Sequence, residues 1–124
     1  MSIENCPLSI EDVQAELEYI REAAEKNLNK KMFEKALSCI DLTTLNSTDT
    51  LKSVAAFTQK VNEFPQNCPG VSNVAAICVY PNMAKAVKDT LKIDGVKIAA
   101  VSGGFPSSMT FTELKLEEAR MAVA

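Results

Sequence analysis

Histidine and tryptophan are both missing from this chain of 124 residues. Without an imidazole there is no ordinary Ser-His or Cys-His pair to activate a nucleophile, and no mixed Cys/His zinc site. Any chemistry falls to Asp, Glu, Lys, Cys or Tyr. The four cysteines, Cys6, Cys39, Cys68 and Cys78, form no Cys-x-x-Cys pair, so the usual signal of a structural zinc is absent too. No metal or other cofactor is expected. Nor does any apolar run approach the roughly 18 residues of a membrane span, and the opening MSIENCPLSIEDVQ has acids where a signal peptide has lysines. A cytoplasmic protein that does not engage membranes is expected. There is no basic excess either: 16 acidic and 13 basic side chains give a net charge of −3, which offers no face to nucleic acid.

What is present is a globular composition, with 47% apolar residues, enough to build the core of one ordinary domain. Ser9 and Asp12 resemble a capping box. Behind them Ile10, Val13, Leu17, Ile20, Ala24 and Leu28 recur at helical spacing, predicting an amphipathic helix from about Ser9 to Leu28. Its other face, with Glu11, Glu18, Glu22 and Glu25, reads as solvated surface. Residues 1–35 are thus expected to be a helical extension, with Asn29 to Lys35 a polar link.

From residue 36 to 124 one pattern repeats three times: a short apolar run, a polar loop and an amphipathic helix. The runs are Ala36–Asp41, Val74–Val79 and Ile98–Val101. The helix after the first carries Leu51, Val54, Ala55, Thr58 and Val61 on one face and should stop near Pro65. The next has Pro81 in its first turn, a Met83, Val87 and Leu91 stripe, and a turn back at Asp94-Gly95. The last is expected to be capped by Thr110 and Glu113 and to carry Leu116, Ala119 and Val123. Continuous apolar runs alternating with helices indicate parallel strands buried on both faces, in spatial order one, two, three with their helices on one side. Pattern alone leaves both a doubly wound sheet and a (β/α)8 barrel open. The C-terminus is still helical and apolar, with no glycine cap, so the expectation is that the fold continues past Ala124.

In parallel α/β folds reactive groups sit where strands end and loops begin. That rule selects Asp41, Thr43 and Thr44, then Cys78 and Tyr80, then Ser102, Gly103 and Gly104. Asp41 could orient a water or hydroxyl, or simply cap its loop. Cys78 within an apolar run could be a pocket residue or a small buried hydrophobe, while Cys6, Cys39 and Cys68 read as structural. Gly103-Gly104 could approach a phosphate or form a plain turn. No lysine falls at a strand's C-terminal end: Lys97 precedes the third strand, and Lys52, Lys60, Lys85, Lys88, Lys92 and Lys115 belong to helices.

Taken together, Ile40-Asp41-Leu42-Thr43-Thr44-Leu45-Asn46 and Ala75-Ala76-Ile77-Cys78-Val79-Tyr80-Pro81 resemble the first two strand motifs of the deoxyribose-phosphate aldolases. The third motif of that family usually reads Thr-Asn-Phe-Pro, and here Ser102-Gly103-Gly104-Phe105-Pro106 keeps only the Phe-Pro. The resemblance covers roughly Leu37 to Ala124. It implies the first three βα units of a (β/α)8 barrel preceded by an extra N-terminal helix. It also implies an enzyme that cleaves 2-deoxy-D-ribose 5-phosphate to D-glyceraldehyde 3-phosphate and acetaldehyde through a lysine Schiff base, without metal. The family's imine lysine, its second lysine and its proton-transfer aspartate come from strands six, seven and four, which would lie beyond Ala124. What the resemblance carries over is Asp41, Thr43, Leu45 and Cys78 as substrate-pocket residues, with a sugar phosphate as ligand. No catalytic residue is expected in this chain, which should be inactive alone. Association is expected, either as a homo-oligomer or with a C-terminal half. Two alternatives are a non-catalytic partial barrel that pairs with another chain, and a small-molecule binding module that uses the strand-end rim alone.

Overall fold

The computed structural model describes residues 9–123, so the reading of Cys6 lies outside the described residues. The chain up to Phe33 and the chain from Glu34 onward form two compact units.

In the first unit, helix α1 spans Ile10–Glu25. The capping box is present: the Ser9 hydroxyl accepts from the Asp12 amide at 3.0 Å, and the Asp12 carboxylate accepts from the Ser9 amide at 3.0 Å. That backbone donor and, secondarily, the Ser9 hydroxyl hold the Asp12 carboxyl below its ordinary pKa. The apolar stripe is where the spacing placed it, yet Ile10, Val13, Leu17 and Ile20 are all exposed and α1 buries no residue.

Helix α2, Lys30–Leu37, corrects two expectations. The stretch read as a polar link is helical, and the helix takes in Ala36 and Leu37, which were assigned to the first strand. Lys, Met, Glu, Ala and Leu all favour helix, and Asn29 starts it by accepting from the Met32 amide at 3.1 Å through its side chain. A short apolar run with helix formers before it cannot be told from a helix end by periodicity. Strand β1 is therefore only Asp41–Thr43, beginning at the residue expected to end it.

Helix α3 (Leu51–Asn67), strand β2 (Ala76–Val79), a 3-10 turn at Pro81–Met83, helix α4 (Ala84–Thr90), strand β3 (Lys97–Ala100) and helix α5 (Thr112–Val123) follow. The sheet is wholly parallel in the order β1-β2-β3, as expected. One buried cluster joins Val54 and Val61 of α3, Ile77 and Val79 of β2, Val87 of α4, and Val96. Ile77, Val79 and Val87 are fully buried. Since Ile77 and Val79 point to one face of the sheet, α3 and α4 both cover that face. Leu42, on the same face of β1, packs against the cluster. Two helix boundaries differ from expectation. Lys92 lies beyond the end of α4, and α5 starts at Thr112, later than capping by Thr110 would set it.

Pro65 does not stop α3, which runs two residues further. A proline there cannot donate to the carbonyl of Val61, four residues earlier. The vacancy is filled from outside the helix, because Asn73 Nδ2 donates to the Val61 carbonyl at 2.9 Å while Asn73 Oδ1 accepts from the Val74 amide at 2.9 Å. Asn73→Asp keeps the acceptor and the volume but puts a charged acceptor oxygen, in place of the donor, against the Val61 carbonyl. It should lower unfolding free energy by about 1–3 kcal/mol, read as a reduced urea midpoint with unchanged slope. A change within about 0.5 kcal/mol, the range of an ordinary surface substitution, would show that the helix end does not depend on Asn73.

Candidate functional site

Parallel pairing fixes which side chains share a face. Asp41 is level with Ala76 and Lys97, and Thr43 is level with Cys78 and Ala99. Successive residues alternate between faces, so these six lie on the side of the sheet away from α3 and α4. There Asp41, Thr43 and Lys97 are exposed, Cys78 and Ala99 are half-buried, and Ala76 is buried. Three of the expected pocket residues, Asp41, Thr43 and Cys78, are thus brought to one open face. Asp41 is not on its C-terminal rim, however. It opens β1, two register positions before the Thr43 and Cys78 pair, because the strand starts later than the apolar run implied. The Thr43 hydroxyl donates to the Asp41 carbonyl at 2.8 Å.

The fourth expected residue, Leu45, is half-buried in the loop that follows β1. Pairing continues one residue beyond the strand, the Thr44 amide donating to the Cys78 carbonyl at 3.0 Å. Beyond it a single carboxylate organises the loop. Asp49 Oδ2 accepts from the Thr44 hydroxyl at 2.8 Å and from the Asn46 amide at 3.0 Å, and Asn46 Nδ2 donates to the Thr44 hydroxyl at 3.2 Å. Leu45 sits between the two residues so held. Thr48, Asp49 and Thr50 precede the next helix, and each is of a type that could cap it. Thr50 is the cap, and Asp49 instead orders the strand-end loop. An Asn followed three residues later by Asp is the Asx-type pattern that could have shown it.

At the ends of β2 and β3, Tyr80 and Phe105 meet, with ring centroids 6.3 Å apart and planes inclined at 58°. Gly103 and Gly104 both have positive φ, +72° and +74°. A methyl group at Gly104 would also come to 3.0 Å from Thr110 Cγ2. The glycine pair is therefore required by the turn itself. Among the described residues no cluster of His, Cys, Asp and Glu could hold a metal ion, and no helix is long and apolar enough to cross a membrane.

A cleft of about 820 Å³ lies elsewhere, on the helix side of the sheet between α4, β3 and α5, with Ile98, Ala100, Met121 and Val123 in its walls. It contains none of the expected pocket residues. Its walls are mostly apolar, and α5 buries no residue, so the cleft reflects open packing beside α5. The face carrying Asp41, Thr43 and Cys78 is the better candidate for chemistry, since it has convergent polar groups at strand ends.

No protein-family model matches the chain. Individual proteins do. A Caenorhabditis elegans protein, provisionally named a deoxyribose-phosphate aldolase, is 37% identical over 118 residues, 92% of this chain. The deoxyribose-phosphate aldolase of Bos taurus is 32% identical over 122 residues, 89% of this chain. Its relatives are deoxyribose-phosphate aldolases. The chain spans 38% of the length of each of these two. The described fold is thus a three-stranded parallel sheet with helices between its strands, in a chain related to aldolases of that name over part of their length. Matches of this coverage reach into α1, so these aldolases do not set that helix apart as an extension.

Proposed function

We infer that the chain is the N-terminal part of a deoxyribose-phosphate aldolase, supplying the first three βα units of a (β/α)8 barrel. It forms one wall of a sugar-phosphate pocket, lined here by Asp41, Thr43, Leu45 and Cys78. The observation that carries the reading is the register. It turns Asp41, Thr43 and Cys78 to the face opposite the helices, the inward face once a sheet of this kind closes. On that face a carboxylate and a hydroxyl can receive the hydroxyls of a sugar, while the half-buried Cys78 and Leu45 supply apolar contact.

Cleavage by an imine mechanism needs a lysine held at a strand's C-terminal end in a dry pocket. The described lysines are not so placed. Lys97 opens β3, and Lys52, Lys60, Lys85, Lys88 and Lys115 lie on helices. On this reading the imine lysine comes from the part of the relatives' length that this chain does not match. Its strands have room for that. Among the described residues β1 and β3 each pair on one side only.

The test mixes the purified chain with the part of the bovine aldolase that lies outside the matched region and follows acetaldehyde release from 2-deoxyribose 5-phosphate. Activity is expected only when both pieces are present. A stable complex without activity would instead favour a non-catalytic pairing role, to which the open strand edges also point. No complex and no activity would remove both.

A further inference from the structure

The loop from β3 to α5 is tied down by one side chain that the sequence did not single out. Glu118, half-buried on α5, accepts from the Gly104 amide at 3.0 Å through Oε2, fourteen residues back along the chain. The adjacent Glu117 is occupied differently, in an exposed ion pair with Arg120 that lies wholly on the helix surface. Glu118 is thus the acid of α5 that reaches the loop.

The amide it holds is at a sensitive point. Gly104 is the second of two successive positive-φ residues, and its carbonyl accepts from the Ser108 amide at 2.7 Å, closing the turn. Phe105 comes next, and its ring stands against Tyr80, the residue that follows β2. A carboxylate on the Gly104 amide therefore fixes where Phe105 leaves the turn. Such a bond to a charged acceptor is stronger than a neutral one.

We propose that Glu118 is the positioning residue of the β3–α5 loop, holding the Gly104 amide so that Phe105 stands beside Tyr80 at the strand ends. The bond and the ring contact stand independently of function. That the ring pair forms part of a substrate rim rests on the aldolase reading above.

Nuclear magnetic resonance on the isotope-labelled full chain tests the positioning directly. The wild-type chain should show a through-bond coupling from the Gly104 nitrogen to the Glu118 side-chain carboxyl carbon, and Overhauser contacts between the Phe105 and Tyr80 rings. Glu118→Ala should abolish the ring contacts and shift the Gly104 amide, leaving β1, β2 and β3 resonances in place. Glu118→Gln, whose Oε1 still accepts, should restore the ring contacts. Absence of the wild-type coupling, or ring contacts that persist in Glu118→Ala, would overturn the proposal. If Glu118→Ala does not fold, the wild-type coupling and Glu118→Gln still decide it. In the two-piece enzyme, Glu118→Ala should raise KM about tenfold with kcat little changed, roughly the loss of one charged hydrogen bond, and Glu118→Gln should stay near wild type. Were no pair of pieces active, wild type included, the aldolase reading would fail while the resonance experiment would still judge Glu118.

Discussion

Incubated with 2-deoxyribose 5-phosphate and borohydride, the chain by itself should gain no stoichiometric mass. Imine formation requires an unprotonated amine, which lysine offers near neutrality only where burial or a like charge lowers its pKa. None of the described lysines is buried, and all but the half-buried Lys115 are exposed. Lys85 is exposed and its ammonium lies 2.7 Å from the Asp89 carboxylate. Lys92 Nζ donates to the Asp89 carbonyl at 2.8 Å. Lys97 is the one lysine on the open face of the sheet, but it is exposed and stands at the start of β3, at the end opposite to the loops of Leu45, Tyr80 and Phe105. A single lysine modified to completion would contradict this. Lys97 would then be the first to examine, since it shares a face with Asp41 and Cys78.

A second large effect is expected in assembly. Helix α5 buries nothing, and Met109, Phe111, Leu116, Met121 and Val123 are between 66% and 92% exposed. Ile98, on the helix side of β3, is 39% exposed although its neighbour in register, Ile77, is fully buried. Apolar side chains at this density around one helix and one strand edge are a contact surface rather than ordinary scatter. An interface that covers them should exceed roughly 1,000 Å² and be more apolar than a transient contact. Between copies of one chain, two-fold pairing is the commonest arrangement.

The order and direction of the strands were legible because the apolar runs at 74–79 and 98–101 are continuous and bounded by turn residues. The likeness of the stretches around Asp41 and Cys78 to those of the aldolases was legible too. What was not legible was the first strand's position. Ala36, Leu37, Ser38, Cys39 and Ile40 are apolar enough for a strand, but Leu37 completes the helix that Asn29 begins, and only tertiary pairing with β2 selects Asp41–Thr43. That shift of register moved Asp41 from the end of the strand to its start. The stop that Pro65 signals comes two residues after it, with the proline inside α3. Its missing donor is replaced by a side chain eight residues later, a long-range bond that no local rule contains. Glu118 was not legible because it acts on a backbone amide fourteen residues away, a partner visible only in three dimensions, whereas the Asn46 to Asp49 spacing is a local signal.

The central claim is that this chain is one wall of a larger closed structure, and light scattering on the purified chain at micromolar concentration tests it most directly. The account predicts a particle of at least two chains, or a complex of correspondingly higher mass when the remainder of an aldolase barrel is supplied. A well-folded monomer of 13.5 kDa, unchanged by that addition, would contradict it.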